Sequence, residues 1–527
     1  MFIRYRFAVT TALLVSTSAS WSPYSGHVRA ATAVPSLPPP SGAVVTVSTE
    51  PQLQSAIRQL ASNTTILIAP GTYQLTSTLY INGAYTNVAI RGSADDRDSV
   101  VLKGPGMNVA AYGEAPYGIW TGGNVQGITI ANLTIRDFYY HPIIFNAGTQ
   151  RPRVYNAHLI DAGQQFVKSN PDGAGGGVND GVVEYSVIEY TTTARDSYVN
   201  GVDVHTGANW IVRDNVFRNL VAPPGGLAGP ALLMWNHSSN TIAERNLFIN
   251  CSRGISYGLQ AAGFDHSGGI IRNNMIFRGA GQPGDVGIMV ADSPNTQVLN
   301  NTVFLSGTYG TPIEYRFAGT QNVVIGNNLL DGAIWARDGA TGVEAGNLAG
   351  AQASMFVDAA AGDLHLVASA TSAIDRGLNS PAVTSDFDGQ VRPQGSAYDI
   401  GADEFGATAT AYRIGGRVKR IHVHADRRVL QRPRRKSARQ LHGRADRAGH
   451  AARRRAGDRR RGVGRSDERI RPYAQDQHVL DGRRIGTVAG VRHRRRLAGG
   501  RHGGVVDRGR RPDVAAGAAD ERAGRHG

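Results

Sequence analysis

The chain has 527 residues, with 56 Lys+Arg against 41 Asp+Glu, 66 glycines and one cysteine. That length calls for two or more domains or one long repetitive one, and the single Cys251 excludes an internal disulfide framework and Cys-based zinc sites. The net charge of +15 invites a nucleic-acid reading, but 34 of the basic and 11 of the acidic residues fall in 407–527. That leaves 22 basic and 30 acidic residues before them, an acidic body of net −8 followed by a tail of net +23. No nucleic-acid partner is therefore expected for the body.

Arg4 and Arg6 precede a short apolar run ending at Val15, followed by small residues to Ser20. This is the three-part pattern of a secretory signal peptide, too short to span a bilayer. Cleavage after Ser20, Ala31 or Ala33 fits equally, so 1–33 is assigned to export and the Pro-rich 34–42 to a linker. A secreted, extracellular or periplasmic bacterial protein without a transmembrane segment is expected.

The body runs over 43–405. Thr49 and Gln52 have capping-box spacing with Pro51 between them, and Leu53, Ala56, Ile57 and Leu60 share one helical face. A helix over 50–61 is predicted, then a short strand from Thr65 ending at Pro70-Gly71. Further on, a phrase of strand-length apolar segments around asparagine recurs, with Asn215, Asn246, Asn274, Asn301 and Asn328 spaced by 31, 28, 27 and 27 residues. A fixed period in the twenties with β-branched segments separated by Gly and Asn predicts a β-solenoid. The asparagines are expected to accept the left-handed conformation at a corner and to hydrogen-bond from coil to coil.

About ten residues after each phrase lies a second strand. Placing Val167, Val202, Val204, Leu232, Met234, Ile255, Ile313 and Ile334 inward leaves Lys168, Asp203, His205, Trp235, Ser256, Glu314, Arg316, Trp335 and Arg337 outward. Stacked coils would gather these into one stripe, with Lys168 and His205 within a few ångströms. Two bases that close depress each other's pKa and leave one neutral as a proton acceptor. Aromatic rings suit sugar faces, while charged groups suit hydroxyls and carboxylates. Lys168, Asp203, His205 and Arg253 are the catalytic candidates. Trp235, His237, Tyr257, His266, Glu314, Arg316, Trp335 and Arg337 are the substrate-binding candidates. Asp203, His205, His237 and His266 are also weighed as metal ligands, though no ligand spacing supports them.

These coils resemble the right-handed parallel β-helix superfamily, the pectate-lyase-like fold, and the helix near residue 50 resembles its N-terminal cap. The stretch Asp386-Phe-Asp-Gly-Gln-Val-Arg-Pro393 with Tyr398-Asp-Ile-Gly-Ala-Asp-Glu-Phe405 is similar to the ending of secreted bacterial β-helix proteins of the choice-of-anchor type. The resemblance implies an all-β, right-handed parallel β-helix. Lys168-Ser169 is similar to the catalytic Lys region of β-helix lyases acting on alginate and related polymers. The Arg-x-Pro-x-x-Arg pattern of pectate lyases and the polygalacturonase-like acidic sets are missing. Three readings follow: a lyase acting by β-elimination on a uronic-acid polysaccharide, with Ca²⁺ as a possible cofactor; a non-catalytic glycan-binding or adhesion β-helix; and a glycoside hydrolase. A monomer is expected.

From Ala407 onward Leu, Ile and Val total 18 of 121 residues, with no Phe or Trp. Such a segment cannot bury enough apolar surface to fold, and 406–527 reads as a disordered, arginine-rich tail. The excess of Arg, Ala, Gly and His fits a frameshift near 407–413 in a GC-rich gene.

Overall fold

Apolar triplets separated by two-residue corners wind into stacked coils in the computed structural model, which describes residues 31–406 and the dipeptide 412–413. The signal segment through residue 30 and the rest of the arginine-rich tail, with its proposed frameshift, lie outside the described residues. The helix Glu50–Arg58 opens the body, and Leu53, Ile57 and Leu60 bury its apolar face. Its cap is shared: Thr49 Oγ1 accepts from Gln52 N, while Gln52 Oε1 accepts from Ser48 N at 2.9 Å rather than from Thr49. Among the described residues no helix is long and apolar enough to cross a membrane.

From residue 182 to 337 the coils follow one plan of three strands. One coil comprises Ile270–Arg272, Met275–Phe277 and Ile288–Ala291, and each strand pairs in parallel with its counterpart one coil away. Between the first two strands stands a two-residue corner. Its first residue takes the left-handed conformation, as in Asp214, Arg245, Asn273, Asn300 and Asn327, with φ between 51° and 58°. Its second residue forms the internal ladder, in which Asn215, Asn246, Asn274 and Asn301 each donate Nδ2 to the next asparagine's Oδ1 at 2.9–3.0 Å. In this ladder the two roles expected of a single asparagine are divided between neighbours, while Asn156 combines them, left-handed at φ 47° and donating Nδ2 to Asn132 Oδ1 at 2.9 Å, as does Asn327 toward Asn300 at 3.4 Å.

Asn274 shows what the ladder does. Its Oδ1 accepts from Asn246 N and Nδ2, and its Nδ2 bonds Ala243 O and Arg272 O as well as Asn301. Asn274→Ala would leave several of these buried groups unpaired, at about 1–3 kcal/mol each. Urea unfolding should therefore show a midpoint well below wild type, whereas Thr72→Ala on an exposed strand position should stay within about 0.5 kcal/mol.

Residues 351–405 fold back along the flank of the solenoid. Phe356, Leu364, Leu366, Phe387 and Ile400 cover Ile249, Phe277, Phe304 and Leu329 on the coils' outer surface, forming a second apolar cluster. Arg392, fully buried, ties this strap by bonding Glu404 Oε2 at 2.6 Å and Gly401 O at 2.8 Å. The closing motif noted in the sequence thus supplies the strap's internal ion pairs.

Candidate active site

Ten short parallel strands, from Ser77–Asn82 to Ile334–Arg337, stack into the sheet that carries the outward stripe. Strand pairing places Tyr80, Trp120, Ile144, Lys168, Asp203 and Leu233 side by side, continuing through Ser256, Met289, Glu314 and Trp335. Two residues along, His205 pairs with Trp235, and Arg316 with Arg337. The alternation read from the sequence matches this register, and the residues assigned inward are buried or half-buried.

The tightest polar cluster on this stripe joins Lys168, Asp203, His205 and Trp235. Lys168 Nζ lies 2.6 Å from both Asp203 Oδ2 and His205 Nε2. Trp235 Nε1 donates to Asp203 Oδ1 at 2.8 Å, and its ring meets the His205 ring edge-on at 4.5 Å. Lys168 and Asp203 are only 5% and 2% exposed, while His205 and Trp235 form the half-buried rim. Burial opposes the Asp203 charge, but Lys168 and then His205 outweigh it and hold the carboxyl well below its ordinary range. Burial, and after it the Lys168 charge, lowers the His205 pKa. His205 Nδ1 lies 3.4 Å from the Asn236 amide nitrogen. Beneath the cluster His141, a residue the sequence analysis missed, bonds Gln165 O through Nδ1. Burial, then Lys168, pushes its pKa down to about 3.

The remaining candidates separate from this cluster. Arg253 stands three coils from Lys168 before the Ile255–Tyr257 strand, and its guanidinium grips Asp285 at 2.7–2.9 Å. Tyr257 is corrected from substrate ligand to core residue: it points inward two positions after Ile255 and donates its hydroxyl to Thr241 O. His266 is likewise a core residue. It is fully buried, its ring nitrogens meet Ser293 Oγ and Thr241 Oγ1, and burial pushes its pKa down to about 3. His237 is exposed on the turn after Trp235, with Nδ1 toward Phe264 O.

Glu314, Arg316, Trp335 and Arg337 form a second group five to six strand steps from Lys168, roughly 24–29 Å along the axis. There Arg337 bonds Glu314 at 3.0 Å and lies over the Trp335 ring, Arg316 bonds Asp338, and Trp335 is 44% exposed. Among the described residues, the acids weighed for hydrolysis on the outward sheet and its loops do not come together as a free pair. Asp203 is occupied, Asp265 accepts from the backbone of Asn236, Leu259 and Gln260, and Asp285 is held by Arg253.

The cluster of ligand-type side chains falls elsewhere than expected. Asp203, His205, His237 and His266 do not converge; among the described residues the one group with three ligand-type atoms within 4.8 Å is His365, Asp388 and Asp403. That group belongs to the strap, beside a cavity of about 370 Å³ away from the outward sheet. There Asp363 and Asp388 engage the two ring nitrogens of His365; burial opposes protonation, but the carboxylates raise its pKa to about 11. This is the pattern of an imidazolium ion pair. A Ca²⁺ ion takes six to eight oxygen ligands, and the residues around Asp203 do not fit one, since both carboxylate oxygens already face Lys168 and Trp235.

A family model described as right handed beta helix region matches residues 79–349, just over half the chain. No curated protein matches the sequence. Similar solved structures include an alginate lyase from Paenibacillus sp. str. FPU-7, at 13% identity over 48% of this chain and 95% of that one, TM-score 0.34. The pectate lyase Pel9A is 17% identical over 66% of this chain and 90% of its own, TM-score 0.36. PfbA, a surface adhesin of Streptococcus pneumoniae, is 12% identical over 57% and 85%, TM-score 0.38.

Proposed function

The chain belongs to the right-handed β-helix family, and on that premise we propose that it is an exported polysaccharide lyase that cleaves a uronic-acid polymer by β-elimination, acting as a monomer. The observation that carries this reading is the Lys168–Asp203–His205 contact on the outward sheet, where Lys168 Nζ reaches both a carboxylate oxygen and the imidazole Nε2. Elimination needs a base for the C5 proton, positive charge near the uronate carboxylate, and a proton for the leaving oxygen. His205, on the rim, is the base. Lys168 has three N–H groups, of which Asp203 and His205 engage two, leaving the third for the substrate. The C5–H electron pair becomes the C4–C5 double bond and the C4–O bond breaks. The Lys168 N–H that bonds His205 Nε2 turns to the departing oxygen and protonates it, which frees the Nε2 lone pair to take the C5 proton; the imidazolium then returns a proton to Lys168. Asp203 is a positioning residue that accepts from both Lys168 and Trp235 and orients them.

A binding-only role is the second reading, favoured by the near-complete burial of Lys168 and Asp203. Purified protein incubated with alginate, pectin and glycosaminoglycans should generate the ultraviolet absorbance of an unsaturated uronate with at least one of them. Retention on a glycan column without that absorbance would establish the binding role instead, and new reducing ends without absorbance would indicate hydrolysis.

A further inference from the structure

We propose that Tyr80 and Trp120 form a sugar-binding subsite two to three coils from Lys168, on the same outward column, which holds a ring of the polymer whose chain continues to the Lys168–His205 cluster. This deepens the lyase reading and rests on it for the polymer's identity. Tyr80 and Trp120 occupy paired positions on adjacent strands, and their rings stack at 4.3 Å with an interplanar angle of 24°. Tyr80 is 52% exposed, an unusual position for an aromatic ring that fills no core. The indole has space made for it: a Cβ at Gly122, two residues along the same strand, would lie 2.6 Å from the Trp120 ring. Asn82 Nδ2 donates to Tyr80 Oη at 3.0 Å and orients that ring.

Register then fixes what lies between this pair and the cluster. One position, Ile144, separates Trp120 from Lys168, so along the axis Trp120 stands about 10 Å and Tyr80 about 14 Å from Lys168. Ile144 is short and buried between two long side chains, which makes a low apolar floor between an aromatic wall and a polar one. An apolar sugar face packs on the aromatic side, while a carboxylate and a glycosidic oxygen face the ammonium. A neutral or uronate sugar ring fits these walls. A peptide or nucleic acid has no matching backbone donors or basic track here.

The test uses full-length protein and uronate oligomers of defined length. Trp120→Ala should raise KM about tenfold for long oligomers, with kcat changed less than about twofold, and leave the shortest cleaved oligomers unaffected; Trp120→Phe should restore most of the loss. Gly122→Ala, which displaces the indole without removing it, should move KM in the same direction. Circular dichroism of each variant checks the fold. Equal KM for wild type and Trp120→Ala at every length would overturn the subsite. Binding of long oligomers is also measured by calorimetry on Lys168→Ala. If Trp120→Ala weakens that binding while wild type never turns over, the subsite stands and the elimination reading fails. If wild type turns over and Trp120→Ala changes neither quantity, the subsite fails and elimination stands.

Discussion

Replacing His205 with alanine is expected to reduce the rate of elimination by roughly 10²–10⁴-fold while leaving the fold intact. The imidazole sits on the half-buried rim of the cluster, so its removal opens space to solvent rather than a core cavity. The pH profile gives the sharper test. Burial, followed by Lys168, lowers the His205 pKa from its ordinary 6.5. A base works in its neutral form, so kcat/KM of the wild type should hold its plateau below pH 6.5 and fall only as the pH drops through the lowered value. An acid limb above pH 6.5 would assign the base elsewhere. The same shift has a linked effect on stability. The unfolded chain binds the proton more readily than the folded one, so this contribution is present above pH 6.5 and is lost as the pH falls toward the folded value.

Asp203→Ala should produce the largest loss of stability in the outward sheet. It would strand Lys168 as a buried cation and deprive Trp235 Nε1 of its acceptor, at about 3–5 kcal/mol. Lys168→Met should be costly as well, because it strands the carboxylate. The double variant Lys168→Met/Asp203→Leu leaves no charge uncompensated and should recover most of the stability of either single variant, while remaining inactive. Urea unfolding of wild type, Lys168→Met, Asp203→Leu and the double variant forms a closed cycle. A double variant as unstable as the two single losses added together would show that the pair contributes through separate contacts and not as one ion pair.

The outward stripe was legible because strand alternation has a period of two, and every position assigned outward from Lys168 to Arg337 lies on one face of the sheet by register. The same rule, applied to Tyr257 two positions after the inward Ile255, would have placed it in the core, where it lies. Tyr80 and Trp120 carried the same signal, each flanked by an inward pair: Leu79 and Ile81, Ile119 and Thr121. They were missed because the asparagine phrase that aligned the later coils does not mark these earlier ones. His266 offered no periodic signal. Its role is set by Thr241 and Ser293, 25 and 27 residues away in sequence.

By itself the sequence determined the coil, its period, the capping helix and the face each strand residue takes, because these follow from local sterics and from alternation over a few residues. The tertiary structure decided that Lys168 reaches both Asp203 and His205, that Arg253 is engaged by Asp285, and that residues 351–405 lie along the flank. Those outcomes depend on side-chain reach across neighbouring coils and on competition between partners some 30 residues apart. Spacing along one chain carries no measure of either.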